Sequence, residues 1–308
     1  MLKKTIVSIC IPTNNRAEII KETLDSIFLQ NIDENLYEVC ISDGSFNDKT
    51  KKIVETYLKK YRNIKYRKSN FANYYNLIEA LKLGKGEFLK LHNDYSKFKN
   101  GELINFIDSI EKYSNNNALM FFPFGEVKNK IETIELKSFD EFMNNISYYS
   151  TWSSAFCIDK KNFDILIDRQ IDIEKMFPHL SLLYACYDKD LYVIDNNCYV
   201  SNIPLKKKGG YNLPETFVKI YLSMTKDLLR NQKISLNTYN KIRKGTLKFV
   251  ADWYAIVKTD KRYFFTFENL EQYLSEYYTK AEIKKFYCYH YLYLNKLKLK
   301  RLIKSIIK

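Results

Sequence analysis

Glycine and proline are scarce in this chain of 308 residues, which has only 8 glycines and 5 prolines. That composition excludes collagen-like and glycine-rich repeat proteins. The few glycines form neither a G-x-G-x-x-G nor a G-x-x-x-x-G-K-S/T sequence, which argues against a dinucleotide oxidoreductase and a P-loop NTPase. The chain has only three histidines and contains neither H-E-x-x-H nor G-x-S-x-G, which argues against a metalloprotease and a serine hydrolase.

Cysteine pairs and long apolar runs are also missing. None of the six cysteines lies in a C-x-x-C sequence and most have apolar neighbours, so we expect buried, reduced thiols rather than disulfides or a zinc site. No apolar run approaches about 20 residues, and the N-terminal lysines lead into a short strand, so neither a transmembrane helix nor a signal peptide is expected. These absences predict a cytoplasmic protein.

Aromatic residues and lysine, in contrast, are plentiful. The chain contains 26 tyrosines and 20 phenylalanines, and its 46% hydrophobic and 28% charged residues are ordinary for a globular protein. The net charge of +14 is uneven, since residues 1–215 hold 30 basic and 29 acidic side chains whereas residues 216–308 hold 20 and 7. A lysine-rich composition can reflect an AT-rich genome, but the asymmetry indicates an acidic partner for the last third.

Apolar periodicity predicts four pairs of strand and helix within the first 113 residues. The expected strands are 5–11, 37–41, 64–67 and 87–91, and the expected helices are 16–30, 48–61, 73–83 and 101–113. This alternation predicts a Rossmann-like α/β fold whose mostly parallel sheet has helices on both faces. Polar clusters follow strands one, two and four, at Thr13–Arg16, Ser42–Ser45 and His92–Asp94. Because ligands bind at the carboxyl ends of parallel strands, these clusters form the candidate site.

The remainder of the chain is predicted to be mixed and then helical. Strands are expected at 118–124, 152–158 and 191–194, helices at 139–145 and 178–186, and a flexible connector at 206–210. Helical patterns dominate from residue 215 onward. We therefore expect one α/β domain over 1–214, divided into halves at 1–97 and 98–214, and a basic helical region over 215–308.

Three segments share their order and spacing with a known pattern. The first is V-S-I-C-I-P-T-N-N-R at 7–16, and the second is E-V-C-I-S-D-G-S-F-N-D-K-T at 38–50. The third runs from Asn76 through G-E-F at 86–88 into L-H-N-D at 91–94. Together they resemble family-2 glycosyltransferases of the GT-A fold, of the type that builds bacterial capsule or lipooligosaccharide. The resemblance covers about residues 5–97 and continues more loosely to about 210.

The resemblance implies an inverting enzyme that moves a sugar from a nucleotide-sugar to a hydroxyl group. The donor would be UDP-linked, as is most common in the family. The acceptor would be a growing surface polysaccharide, either free or lipid-linked: capsule, lipooligosaccharide or O-antigen. In this interpretation residues 1–97 bind the nucleotide, residues 98–214 face the acceptor, and no nucleic acid is a partner.

The nucleotide pocket implied by the resemblance lies in the loops after strands one and two. Asp43 would contact the base or the ribose, since a carboxylate that accepts from such groups gives orientation as well as affinity. Asp43 also precedes Gly44, and a turn residue there is the alternative. The other residues implied to line this pocket are Pro12, Thr13, Asn15, Arg16, Asn76 and Asn93.

The third segment departs from the family pattern. Where the family has D-x-D and a divalent cation that bridges the diphosphate, this chain has His92, Asn93 and Asp94. The resemblance implies Mn²⁺ or Mg²⁺ with Asp94 as a ligand. His92 is a second ligand, a direct phosphate donor or only a filler of the first Asp position, since Mn²⁺ accepts imidazole. The absence of a carboxylate at the first Asp position predicts a weak metal dependence, with lysines neutralising part of the diphosphate charge.

The general base is a second departure. The family usually carries Glu-Asp at a helix start about twenty residues after its acceptor-side strand, which 152–158 resembles, and that Asp is the base. This chain has Pro178 and His179 at the corresponding place. An imidazole can deprotonate an acceptor hydroxyl, so His179 is the candidate, with Asp172 and Glu174 as nearby alternatives. A histidine at a helix start without any chemistry is the other interpretation.

Residues 284–308 carry eight basic side chains and no acidic one. A helix here would place Leu299, Leu302, Ile303 and Ile306 on one face, with Lys298, Arg301, Lys304 and Lys308 mostly around it. This pattern is typical of a helix that lies on anionic lipid, which would make the protein peripheral on the inner face of the cytoplasmic membrane. A solvated helix packed on its own domain is the alternative.

Two other functions remain open at this point. A nucleotidyltransferase also uses a doubly wound sheet, but it would need a glycine-rich phosphate loop after strand one, and 13–16 contains no glycine. The altered D-x-D and the missing base acid favour, as a non-enzyme alternative, a degenerate relative that acts as a binding or scaffold subunit.

Overall fold

The computed structural model describes residues 4–114, 116–127 and 132–306. The chain forms two compact units, Met1–Pro204 and Leu205–Lys308. The functional division into a nucleotide half, an acceptor half and a basic region remains a prediction.

The first unit begins with alternating strands and helices, as the sequence predicts. The elements are β1 (Val7–Thr13), α1 (Ala17–Phe28), β2 (Tyr37–Asp43), α2 (Lys49–Leu58), β3 (Ile64–Lys68), α3 (Asn76–Leu83), β4 (Phe88–Leu91), β5 (Ser96–Phe98) and α4 (Glu102–Glu111). Strands β2 and β4 are buried at every residue, as expected for strands covered on both faces. Helix α1 buries Ile20, Leu24 and Ile27 at helical spacing, so one apolar face packs on the sheet.

The first unit continues with shorter elements. They are β6 (Ala118–Phe121), β7 (Thr133–Leu136), α5 (Phe139–Ile146), β8 (Phe156–Asp159), α6 (Lys160–Asp168), α7 (Pro178–Ala185), β9 (Leu191–Asp195) and β10 (Val200–Asn202). The predicted strand over 152–158 is only partly correct, because Ser153–Ala155 is a short 3₁₀ turn and the strand starts at Phe156. The ladder pairs with β4 and β6 include Phe156 to Asp159, whereas Ser153–Ala155 has no ladder partner among the described residues.

Eight of the described strands form one sheet in the order β3-β2-β1-β4-β8-β6-β9-β7. The pairs β2–β3, β1–β2, β1–β4 and β6–β9 are parallel, and the pairs that include β8 or β7 are antiparallel. The chain moves outward from β1 to β3 and then returns to place β4 on the other side of β1. Ligands bind at such a reversal of strand order in open α/β sheets. The sheet therefore presents the ends of β1, β2 and β4 as its binding edge.

The second unit is mostly helical. It contains β11 (Lys208–Asn212), a π-helical stretch (Glu215–Ile220), α8 (Tyr221–Arg230), α9 (Leu236–Thr259), β12 (Tyr263–Thr266), α10 (Leu270–Tyr277) and α11 (Lys280–Ile306). The prediction of a flexible connector at 206–210 is wrong, because β11 pairs in parallel with β12. The dipeptide Gly209-Gly210 fits a strand here because a Cβ at Gly209 would press against the backbone of Phe264.

Helix α11 contains the basic segment that the sequence singles out. Its first half packs on α9, where Phe286 and His290 are buried. Leu299, Leu302 and Ile303 are exposed. Lys308 lies outside the described residues, as do the side chains of Lys304 and Ile306. Of the helices that the structure describes, none combines the length and the apolar character needed to cross a bilayer.

The cysteines follow the sequence prediction in part. Cys10, Cys40, Cys157 and Cys186 are buried free thiols, as expected. The prediction is wrong for Cys198 and Cys288, which are exposed. Cys198 lies in the turn between β9 and β10 and Cys288 on α11, so neither reaches an apolar core.

Candidate functional site

Three polar clusters meet at the carboxyl ends of β1, β2 and β4. Strands β1 and β2 pair in parallel to their last residues, so Thr13 lies opposite Asp43. Strand β4 flanks the other side of β1, where the backbone N–H of His92 donates to Cys10 O over 2.8 Å. The hydroxyl of Thr13 then donates to Asp94 Oδ2 over 2.7 Å. The structure thus brings Thr13, Asp43 and Asp94 together, while their roles toward a ligand remain predictions.

Asp94 is a buried carboxylate whose two oxygens both have partners. Thr13 Oγ1 donates to Oδ2, and Arg16 NH1 donates to Oδ1 over 2.7 Å. Thr23 Oγ1 on α1 donates to the Asp94 backbone oxygen over 2.8 Å. Burial raises the pKa of Asp94, while Arg16 and Thr13 oppose that rise by favouring the ionised form. The result is a fixed ion pair at the centre of the site.

Asp43 is fully buried and is likewise held from several sides. Tyr66 OH on β3 donates to Oδ2 over 2.8 Å, and Lys68 Nζ lies 3.7 Å from the same oxygen. The backbone N–H of Ser45 donates to Oδ1 over 2.9 Å, and its hydroxyl donates there as well. Burial raises the pKa of Tyr66, and the contact with Asp43 raises it further. Asp43 therefore combines the turn role and a defined orientation at the end of β2.

Asn76 ties the ends of β1 and β2 together. Its Nδ2 donates to Thr13 O over 3.2 Å and to Ser42 O over 2.9 Å, and its Oδ1 accepts from Ser42 Oγ over 2.7 Å. The backbone N–H of Gly44 also donates to Thr13 O. A Cβ at Gly44 would overlap the Phe71 carbonyl oxygen, so the turn requires glycine. Asn76 thus shapes the floor of the site.

The loop after β1 is hydrogen-bonded to the loop after β2. Asn15 has a positive φ of 56°, and its backbone N–H donates to Ser45 Oγ over 2.7 Å. Its Oδ1 lies 3.4 Å from the backbone N of Phe46. Pro12 and Asn93 are half-buried at the ends of β1 and of the segment after β4. All the predicted nucleotide-binding residues therefore lie at one edge of the sheet.

His92 lies within an apolar stack. Its ring stacks on Phe98 with centroids 5.1 Å apart and planes 4° apart. Its Nε2 lies 2.9 Å from Ser96 O. Burial lowers the pKa of His92 to about 3, with Lys90 as a further cause, so the ring is neutral. These contacts fit the interpretation of His92 as a filler better than that of a phosphate donor.

The side chains around Asp94 do not fit a resident divalent cation. Both of its carboxylate oxygens already accept hydrogen bonds, and the next residue is Tyr95 rather than a second carboxylate. Across 4–114, 116–127 and 132–306, no group of three His, Cys, Asp or Glu side chains is placed to hold an ion. The Mn²⁺ or Mg²⁺ that the resemblance implies remains a prediction.

His179, at the start of α7, is buried away from solvent. Its Nε2 lies 3.3 Å from Ser150 O, and its Nδ1 has no hydrogen-bond partner within the part of the chain that the structure describes. Burial lowers the pKa of His179 to about 4, so the imidazole is neutral at pH 7. Among the described residues, no hydrogen bond or ring contact joins His179 to Thr13, Asp43 or Asp94. The histidine thus has a free basic nitrogen but no direct link to the cluster.

The two alternative bases, Glu174 and Asp172, differ in their hydrogen bonds and in their exposure to solvent. Glu174 Oε2 accepts from the backbone N–H groups of Met176 and Phe177 over 2.6 and 2.7 Å, so this carboxylate shapes the entry to α7. Asp172 is exposed and lines a cavity of about 490 Å³ together with Tyr75, Gln170 and other residues of α3 and the α6–α7 connection. Asp172 is therefore the more accessible carboxylate.

Lys90 is a buried cation that the sequence reasoning missed. Its Nζ donates to Leu91 O over 2.7 Å and to Ser154 O, and the Phe124 ring centroid lies 5.1 Å away. Burial lowers the pKa of Lys90 to about 7. The signal was a single lysine in the otherwise apolar strand Phe88–Leu91. This ammonium ties β4 to the turn before β8.

Comparison with sequence families and curated proteins gives partial matches. The model of glycosyl transferase family 2 matches residues 8–157. An uncharacterized glycosyltransferase, MG025 of Mycoplasma genitalium, is 38% identical over 93 residues, 29% of this chain and 31% of the relative. Its homolog in Mycoplasma pneumoniae is 33% identical over 89 residues, 28% of this chain and 30% of the relative. The chain thus matches about a third of the length of these relatives.

Solved structures share the fold. A crystal structure of S. aureus TarS 1-349 in complex with UDP-GlcNAc has a TM-score of 0.59 and 17% identity, covering 88% of this chain and 79% of that one. A longer S. aureus TarS structure has a TM-score of 0.53 and 18% identity, covering 82% of this chain and 43% of that one. At this identity the likeness shows the fold alone. The predicted GT-A architecture, a mostly parallel sheet flanked by helices, is confirmed.

Proposed function

Because the chain belongs, through residues 8–157, to glycosyl transferase family 2, we propose that it moves a sugar from a nucleotide-sugar to an acceptor hydroxyl. The observation that carries this proposal is the convergence of Thr13, Asp43 and Asp94 at the carboxyl ends of three neighbouring strands. Helix α1 begins beside this cluster, and its N-terminal dipole favours an anion such as a diphosphate. A nucleotide-sugar combines such an anion with a base and ribose.

The proposed nucleotide is UDP. S. aureus TarS, which shares the fold, has been solved with UDP and with UDP-GlcNAc. The position of Asp43 supports a role in recognising the nucleoside. Tyr66 and Ser45 hold its carboxylate in one orientation at the carboxyl end of β2. The Thr13–Arg16 loop would then lie along the ribose and phosphates.

Nucleotide binding tests this assignment directly. We expect UDP, among UDP, GDP, CDP and dTDP, to give the largest rise in thermal midpoint. The substitution Asp43→Asn should weaken UDP binding about tenfold or more, since it removes a charged hydrogen-bond acceptor. The exposed Asp108→Asn on α4 is the matched control. Unchanged UDP binding by Asp43→Asn, with an intact thermal midpoint, would place the nucleoside elsewhere.

The proposed mechanism is a single displacement with inversion. A base takes the proton from the acceptor hydroxyl while the oxygen attacks the anomeric carbon, on the face opposite the leaving nucleoside diphosphate. The main electrostatic task is to stabilise the charge that grows on the diphosphate. The neutral imidazole of His179, with its unpartnered Nδ1, supports a role as base, and the exposed Asp172 is the alternative with the best access. Glu174 is the third candidate.

Single substitutions separate these candidates. Loss of the base should lower kcat about 10²- to 10⁴-fold with little change in KM, in one of His179→Gln, Asp172→Asn or Glu174→Gln. Because His179 is buried, its variant is compared at equal folded fraction by circular dichroism. Full transfer by all three variants would contradict the assignment of the base to this part of the chain.

The proposed acceptor is a surface glycan, free or lipid-linked, of the capsule, lipooligosaccharide or O-antigen type. The basic α11 supports docking at an anionic membrane, because its exposed Leu299, Leu302 and Ile303 lie beside lysines. The protein would then be peripheral on the inner face of the cytoplasmic membrane, where lipid-linked glycans are extended. This docking would concentrate the enzyme at its acceptor.

Substitution is a better test of docking than deletion, because Phe286 and His290 of α11 are buried in the second unit. We expect the double change Lys300→Gln with Arg301→Gln to reduce sedimentation with phosphatidylglycerol vesicles. The matched control is Lys51→Gln with Lys52→Gln on α2, which removes the same charge from the first unit. Equal vesicle binding by both double variants would argue against α11 as the docking helix.

A degenerate scaffold subunit is the second candidate, favoured by the absence of an acidic residue at the position of His179. Incubation with UDP-sugars separates the two functions, since slow donor hydrolysis needs no acceptor. Release of UDP from any of these UDP-sugars excludes the scaffold. Tight UDP binding with no hydrolysis and no transfer to polysaccharide extracts would favour it.

A further inference from the structure

The carboxylate at the centre of the site already has a permanent cation. Arg16 NH1 lies 2.7 Å from Asp94 Oδ1, and the Asp94 side chain is 1% exposed. The other carboxylate oxygen is taken by Thr13, and the backbone oxygen by Thr23. A metal ion that used Asp94 would therefore compete with Arg16 and Thr13 for a buried carboxylate, and displacing Arg16 would leave both charges without their partners.

Arg16 is at the same time open to a ligand. Its side chain is 40% exposed. In the part of the chain that the structure describes, NH1 is the only guanidinium nitrogen of Arg16 with a protein acceptor. The carbon at the centre of the guanidinium lies 5.3 Å from the centroid of the Tyr95 ring, within the range of a cation–π contact. The remaining N–H donors form a fork that suits phosphate oxygens.

The neighbouring residues do not restore a metal site. Tyr95 follows Asp94 directly, and His92 is occupied by its stack on Phe98 and its contact with Ser96 O. Mg²⁺ requires near-octahedral oxygen ligands, and Mn²⁺ prefers oxygen or imidazole ligands. Among the described side chains here, neither a free carboxylate oxygen of Asp94 nor a second carboxylate beside it is available.

From this geometry we propose that donor binding in this chain is independent of a divalent cation, and that the Arg16 guanidinium is the positive charge that meets the donor's diphosphate. The inference rests on the proposed function and goes beyond it. Asp94 is then a positioning residue, which orients Arg16 from behind. The start of α1, immediately after Arg16, adds the partial positive charge of its free N–H groups. Arginine keeps its charge at every physiological pH, so this cation is always present.

The wild-type protein gives the first test. UDP is titrated calorimetrically into the full chain in EDTA, and then in excess Mn²⁺ and in excess Mg²⁺. We expect the Kd for UDP to agree within about twofold in all three buffers, because no binding group is supplied by the metal. The electron paramagnetic resonance signal of free Mn²⁺ should not fall when protein without nucleotide is added. UDP binding that requires Mn²⁺ would overturn the inference while leaving the proposed function intact.

Variants of Arg16 give the second test. Arg16→Met should weaken UDP binding about tenfold or more both with and without Mn²⁺, since it removes a charged hydrogen-bond donor. Arg16→Lys should recover part of the affinity, because it restores the charge without the planar fork. The exposed Arg62→Met is the matched control. If Arg16 only blocks a metal ligand, Arg16→Met would instead free Asp94 and strengthen the dependence of UDP binding on Mn²⁺.

The outcomes remain distinguishable if a variant is unstable. Should Arg16→Met fail to fold by circular dichroism, the EDTA comparison on the wild-type protein still decides the question of the metal. No binding of any nucleoside diphosphate or UDP-sugar in any buffer would instead reject the proposed function itself.

Discussion

Asn76 shows how one side chain can fix the geometry of a site without facing solvent. It was predicted from the resemblance as a nucleotide-binding residue, and this role remains a prediction. In the structure it is buried, and its amide joins the last residues of β1 and β2 through three hydrogen bonds. The distance between Thr13 and the end of β2 therefore depends on Asn76.

The substitution Asn76→Ala should destabilise the chain by about 2 to 4 kcal/mol, because it removes three buried hydrogen bonds and leaves the Ser42 hydroxyl without its acceptor. Urea unfolding followed by circular dichroism measures the change. The exposed Asn105→Ala on α4 serves for comparison and should cost less than about 0.5 kcal/mol. Equal midpoints for the two variants would mean that water replaces the amide.

Lys90 predicts a dependence of stability on pH. An unfolded lysine titrates at its ordinary pKa of 10.5, whereas burial lowers the pKa of Lys90 to about 7 in the folded chain. Between these values the unfolded state binds more protons, so the free energy of unfolding rises with pH in this window. Lys90→Met should flatten the rise between pH 7 and pH 9.5.

Chemical unfolding at several pH values measures this slope. The exposed Lys59→Met on α2 should keep the wild-type slope. Identical slopes for wild type and Lys90→Met would show that Lys90 keeps its proton in the folded chain. The buried thiols nearest to it, Cys10 and Cys157, have a raised pKa and stay neutral in most of this window.

At the scale of elements, a partly buried ion pair joins two helices of the second unit. Arg243 on α9 makes two bonds to the carboxylate of Glu282 on α11, at 2.7 and 3.1 Å. Its NH1 also donates to Tyr277 O over 2.6 Å. The two charged side chains are only 16% and 17% exposed. This pair anchors the start of α11 to α9.

Arg243→Met should destabilise the second unit by about 3 kcal/mol, since Glu282 would keep a largely buried charge without its partner. Arg230→Met removes a comparable contact with Asp227, but this pair is 66% and 56% exposed and should contribute less than about 1 kcal/mol. Thermal unfolding of both variants gives the comparison. A small effect of Arg243→Met would mean that water reaches Glu282.

Element lengths decide how much of the fold the sequence reveals. Strands β1, β2 and β4 and helices α1 to α4 are predictable because each is an apolar run or an amphipathic repeat. Strands β5, β7 and β10 were missed because they have only three or four residues, at least half of them polar, and so form no apolar run. Strand β11 was hidden by its two glycines.

The candidate site is also only partly predictable from the sequence. The approach of Thr13, Asp43 and Asp94 is predictable because parallel strands end at one edge. The pairing of Arg16 with Asp94 is not predictable from the sequence, because the two residues are far apart along the chain and only the folded structure places their side chains in contact. The burial of His179 is not predictable for a related reason, because its hydrogen-bond partner Ser150 lies in a distant segment. The burial of His92 depends on the turn that brings Ser96 and Phe98 back onto its ring.

At the scale of the whole molecule, the charge asymmetry predicts a salt-dependent association. Residues 216–308 carry 20 basic and 7 acidic side chains. Binding to phosphatidylglycerol vesicles should fall steeply as salt is raised from about 0.05 to 1 M, because the Debye length shortens to about 3 Å. Vesicle sedimentation measures it, with phosphatidylcholine vesicles as the control. Binding that persists in 1 M salt would indicate insertion of apolar side chains instead.

The parallel pairing of β11 with β12 has a practical consequence for dissecting the chain. A fragment that begins at residue 215, where the helical pattern starts, would lack β11 and leave β12 with an unpaired backbone edge. Unpaired edges recruit other chains, so such a fragment would tend to aggregate. A fragment cut at Leu205 keeps the two-stranded ladder complete and is the better starting point for isolating this part of the protein.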